Sequence, residues 1–66
     1  MKFGERLKQL MIDNGISQET LAKAIGYSQR AVSKWVNNQS EPTATAIVKC
    51  AEYFSVSFDF LLGSED

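Results

Sequence analysis

The chain has no histidine, one cysteine and one proline among its 66 residues, and no apolar run approaches the length that crosses a membrane. Without histidine, and with Cys50 alone, neither a zinc site of the usual cysteine and histidine ligands nor an internal disulfide can be assembled. The opening Met1-Lys2-Phe3-Gly4-Glu5-Arg6 starts a charged amphipathic pattern and lacks the apolar stretch of a signal peptide. These scarcities lead us to expect a cytoplasmic protein with no metal, no cofactor and no membrane partner. They also argue against an enzyme. Cys50 has no plausible base, no glycine-rich phosphate loop exists, and the carboxylates are scattered over polar faces.

What remains is ordinary globular material, 44% hydrophobic and 23% charged, too apolar for disorder. The length suits one domain, 1–66, with no repeat, linker or low-complexity segment. The net charge of −1 taken alone runs against a polyanionic partner, because lysine and arginine supply most of the affinity for phosphates. Its distribution points the other way. Residues 20–40 carry three cations, Lys23, Arg30 and Lys34, and no acid, whereas the rest of the chain has four cations against eight acids.

Apolar periodicity predicts five helices, hence an all-α fold. Phe3, Leu7, Leu10 and Met11 form the stripe of the first, which Asn14-Gly15 ends. Ser17 caps a second over Gln18 to about Ile25, with Leu21 and Ile25 inward and Ala22 small enough for a close crossing. Gly26 supplies a tight turn. Ser28 caps the third helix, which runs to about Val36 and stops at Asn37-Asn38, asparagine being the non-glycine residue that best tolerates a left-handed backbone. Thr43 caps the fourth, about Ala44 to Phe54, with Ile47, Cys50, Ala51 and Phe54 on one face; Cys50 is expected buried as a small apolar residue. Ser57 and Gly63 bound a short fifth helix, and Ser64-Glu65-Asp66 is expected to fray.

The third helix divides sharply. At about 100° per residue, Gln29, Arg30, Ser33 and Lys34 share an arc of about 140°, opposite Ala31, Val32, Trp35 and Val36. A rigid rod with such a face has the donors that base edges in the major groove require: Arg30 and Lys34 suit guanine O6 and N7, Gln29 suits adenine, Ser33 either a base or a phosphate, and Ser28 stands at the entrance. Composition alone favours a plainer reading, a solvated helix surface. Gln18 opens the second helix, where free backbone N–H groups can hold a phosphate.

Gln18, Ala22, Gly26, Val32 and Trp35 stand at the spacing of the lambda-repressor-like helix-turn-helix family (Cro/C1, or XRE), which this chain resembles. The likeness continues through Glu41-Pro42-Thr43 and Val56-Ser57-Phe58-Asp59-Phe60-Leu61-Leu62-Gly63, nearly the whole chain. It implies a compact five-helix bundle with the helix-turn-helix at helices two and three (18–37), and a transcriptional regulator, expected to be a repressor, that binds double-stranded DNA. Base reading would then fall to Ser28, Gln29, Arg30, Ser33 and Lys34, and backbone phosphate contacts to Gln18 and Asn37. Relatives dimerise through the last helix, which makes Phe58 and Phe60 candidates for a homodimer interface that sets two reading helices about 34–36 Å apart on a pseudo-palindromic operator.

Two departures from the family pattern stand out. The loop Asn37 to Glu41 has no lysine or arginine where many relatives are basic, so fewer counterions should be released on binding. Met11 and Val36 occupy positions where many relatives pair an arginine with a glutamate; two apolar residues in their place are expected to touch, since neither charge need be desolvated. Two further readings stay open: a protein-interaction module such as an antitoxin or antirepressor partner, and the DNA-binding fragment of a longer regulator.

Overall fold

In the computed structural model, which describes residues 2–63, four of the five helices begin at a hydroxyl that closes the first turn. Ser17 Oγ accepts from the Thr20 N–H, Ser28 Oγ from Ala31, Thr43 Oγ1 from Ala46 and Ser57 Oγ from Phe60, at 2.9–3.1 Å. Each cap satisfies an amide the helix itself leaves without a partner, a contribution of about 1 kcal/mol apiece. The helices are α1 (Phe3–Asn14), α2 (Gln18–Ile25), α3 (Gln29–Val36), α4 (Ala44–Phe54) and α5 (Phe58–Leu62). The expected tail, Ser64 to Asp66, lies outside the described residues.

The helix ends follow the same economy. Beyond α3, the Asn38 N–H donates to the Trp35 carbonyl and the Gln39 N–H to Lys34, with Asn38 at φ 57° as its residue type suggests. Gly26 closes α2 at φ 78°, a conformation a side chain would strain, and so turns the chain tightly into α3. One such end is not visible in the sequence. Ser55 takes φ 57° after α4 although it is neither glycine nor asparagine, and the Val56 N–H donates to the Ala51 carbonyl across the turn.

The apolar stripes meet in one core. Phe3, Leu7 and Met11 from α1, Leu21, Ala22 and Ile25 from α2, Val32, Trp35 and Val36 from α3, Ala46, Ile47, Cys50 and Ala51 from α4, and Leu61 from α5 are all buried. Leu10, Phe54 and Leu62 pack against it half-buried. Met11 and Val36 both lie in this cluster and line one surface cleft together. Cys50 is fully buried, and loss of solvent around the thiol pushes its pKa up to about 11.

α3 is gripped at its far end. The Trp35 ring makes edge-to-face contacts with Phe3 at 6.0 Å and with Tyr27 at 5.2 Å, arrangements that aromatic pairs favour. The Tyr27 hydroxyl reaches Thr43 Oγ1, the cap of α4, at 3.4 Å. Three rings thus join the start of α1, the turn between α2 and α3, and the start of α4. Gly4 lets α1 come close: a Cβ there would stand 2.2 Å from the Trp35 carbonyl oxygen.

Candidate nucleic-acid interface

With Val32, Trp35 and Val36 sealed against α1 and α2, the rest of α3 faces out. Gln29 and Arg30 are exposed, and neither side chain makes a hydrogen bond or ion pair with the described residues. Ser33 and Lys34 sit lower on the same face, half-buried. Ser28 is exposed at its foot, with Oγ committed as an acceptor to the Ala31 N–H and its own hydroxyl proton still available to donate. No acid lies within α3 or within its first turn.

Asn37 extends this face by one turn. Its Nδ2 donates to Ser33 Oγ at 3.4 Å, so the two side chains form one polar line. Asn37 also lines a cleft with Gln18, at the first residue of α2, which brings the two candidate phosphate contacts to one end of the helix pair. Gln29, Arg30, Ser33 and Lys34 therefore share one helix face, Ser28 caps the start of that helix, and Gln18 and Asn37 adjoin its end.

Phe58 and Phe60 stand apart from that assembly, on α5. Phe58 is 36% exposed. Phe60 is half-buried, and the Arg6 guanidinium covers its ring at 4.5 Å from the centroid, a cation–π contact within the chain. Ile12, Val48 and Tyr53 are the other large apolar residues left open among the described residues.

The sequence reading missed two residues that hold α3 in place, Gly4 and Tyr27. Gly4 is legible in retrospect because it falls on the same stripe as Leu7 and Met11, three and seven residues on, where an apolar side chain would be expected. Tyr27 had no periodic signal, since it belongs to a turn.

A short helix lying across a second, joined to it by a left-handed glycine and carrying a free polar face, defines the helix-turn-helix class of domain. The comparisons make the family specific. A helix-turn-helix family model matches residues 7–61, and the chain belongs to this family in its Cro/C1-type (XRE) branch. The family consists of DNA-binding transcriptional regulators, which are not enzymes. The chain is 35% identical over its full length to the HTH-type transcriptional activator BcrR of Enterococcus faecalis, and covers 32% of that protein. It is also 35% identical, over 91% of its length, to the SPbeta prophage-derived HTH-type transcriptional regulator YonR of Bacillus subtilis, of which it covers 56%. It thus spans a third to a little over half of these relatives.

Two solved structures share the fold. The restriction-modification controller protein C.AhdI from Aeromonas hydrophila superposes with a TM-score of 0.84 at 33% identity, with 91% of each chain covered. The DNA-binding domain of the P22 c2 repressor gives 0.85 at 30% identity, with 91% of this chain and 79% of that one covered. The expected five-helix, all-α, lambda-repressor-like bundle is borne out. A protein-interaction module on the same scaffold is not favoured.

Among the described residues no helix is long and apolar enough to cross a membrane.

Proposed function

We propose that this chain is the operator-binding unit of a transcriptional regulator, acting in the cytoplasm, with α3 laid in the major groove of double-stranded DNA. The observation that carries the reading is the division of α3: an inner face sealed by Val32, Trp35 and Val36, and an outer face whose Gln29 and Arg30 are exposed and engaged by nothing in the described chain. Arg30 donates bidentately to guanine O6 and N7, Gln29 pairs with adenine, Ser33 and Lys34 extend the reading further along the helix, and Ser28 contributes at its start. Gln18 and Asn37 hold backbone phosphates and fix the register without choosing sequence. The regulators and the repressor domain to which the chain is similar support this assignment.

The domain works as a homodimer through α5, where Phe58 offers apolar surface and Phe60 adds its edge beside Arg6. A two-fold pair repeats the reading helix about one DNA turn away, and the operator is correspondingly an inverted repeat. Occupying such a site excludes polymerase, so repression is the direct consequence. Selection of bound sequences from random duplex DNA tests the proposal. Enrichment of an inverted repeat with guanine at a fixed half-site position is the expected result, and no enrichment at low salt overturns it.

A further inference from the structure

One surface cleft, of about 440 Å³, has a composition that the face of α3 does not explain. Gln18 and Asn37 line it, and so does Lys8 from α1. Its deeper walls include Met11 and Val36, which are 7% and 9% exposed, while Ile12 lies open on it. No carboxylate lines it. Lys8 makes no ion pair or hydrogen bond through its side chain among the described residues.

The other cations are placed differently. Lys2 lies beside Gly63, Arg6 lies over the Phe60 ring, Lys23 reaches Glu19 at 3.9 Å, and Lys49 lines a separate cleft with Glu52 and Tyr53. Arg30 and Lys34 belong to α3. Lys8 is thus the cation off the reading helix that shares a cleft with both candidate phosphate contacts. The loop from Asn37 to Glu41, which follows the reading helix, holds an acid and no cation.

We infer that Lys8 is a further phosphate-binding residue: with Gln18 and Asn37 it holds one backbone phosphate of the duplex at the mouth of this cleft, and supplies the positive charge the loop lacks. The inference rests on the proposed phosphate role of Gln18 and Asn37. Two features of the cleft favour it. The cleft is walled in part by the buried Met11 and Val36, and opposite charges that meet beside such apolar surface attract more strongly than in open water. With no carboxylate on the lining, the charge has no competing partner, and an ammonium binds phosphate as a flexible point charge without reading sequence.

The test measures affinity against salt for the 66-residue chain and for its Lys8→Gln and Lys49→Gln variants. The probes are the selected operator and a mixed-sequence duplex. The two variants lose the same charge from different clefts, and circular dichroism checks that each is folded. Lys8→Gln is expected to lower the slope of log affinity against log salt by about one on both duplexes, with Lys49→Gln matching the parent. A Lys8→Gln slope equal to that of Lys49→Gln, or a loss confined to one of the two duplexes, overturns the inference. If the parent binds the operator while Lys8→Gln leaves its slope unchanged, this inference alone falls; if the parent binds no duplex even at low salt, the regulator reading falls with it.

Discussion

α3 and α5 are both short, both begin at a capping serine, and both are followed by a left-handed turn residue, yet they differ in what their own chain completes. The apolar side of α3 is closed by α1, α2 and the Phe3 and Tyr27 rings, so only polar side chains remain outside. α5 has one fully buried residue, Leu61, leaves Phe58 open and covers Phe60 with an arginine. A helix finished within its subunit has only hydrogen bonds and charge to give a partner. One finished in part has apolar surface to give. The two ends of the domain therefore suit different partners, a polyanion at α3 and a second apolar face at α5.

The comparison breaks most visibly at the grip on α3. Trp35→Ala removes the ring that Phe3 and Tyr27 meet, and is expected to cost about 3–5 kcal/mol, a large share of the total for a small domain. Urea unfolding followed by circular dichroism measures it; a loss under about 1 kcal/mol would mean that the three rings do not position the helix. Gly4→Ala acts on the same junction by overfilling it. Its Cβ meets backbone that cannot rotate away, and the expected loss is about 1–3 kcal/mol. Alanine is the better helix former, so an unchanged or raised melting temperature would contradict the close approach.

A pH titration probes the core beneath both helices. The Cys50 thiol titrates at about 11 in the folded protein against an ordinary 9.0, so the folded state holds this proton more tightly than the unfolded one. Its contribution to stability is complete below pH 9.0 and is lost as pH rises toward about 11. Cys50→Ala removes that component, so the stability difference between parent and variant should shrink over this window. A difference that stays constant through it would place the thiol in contact with water. Phe58→Glu should have the smallest effect on folding, within about 0.5 kcal/mol, because the ring is partly in solvent already. Its effect belongs to assembly: sedimentation should show a dimer for the parent and a monomer for the variant, and two monomeric profiles would remove α5 as an interface.

Most of the fold was legible because its signals are local. Serine or threonine before an apolar stripe marked all four caps, and Asn38 announced its left-handed turn by residue type. What escaped depends on neighbours remote in sequence. Ser55 is left-handed because the end of α4 requires a turn there, not because serine prefers one. Gly4 matters through the Trp35 carbonyl, and Tyr27 through Trp35 and Thr43, none of them close in the chain. The candidate reading face was legible from the 3.6-residue period alone, which separates Gln29 and Arg30 from Val32 and Trp35. Its depth was not: Ser33 and Lys34 lie half-buried, next to the residue whose ring meets Phe3 and Tyr27, and that burial depends on tertiary packing. The place of Lys8 beside Gln18 and Asn37 needed the packing of α1 against α3, which no local pattern encodes.

The central claim is that the outer face of α3 reads bases, and Arg30 tests it most directly. Affinity is measured for the parent and for Arg30→Ala, each on the selected operator and on a copy in which the fixed guanine is replaced. Direct readout predicts that Arg30→Ala costs about 1–3 kcal/mol on the operator and little more than a general loss of charge on the replaced copy. An equal cost on both duplexes would contradict it, leaving Arg30 as one more positive charge near the phosphates.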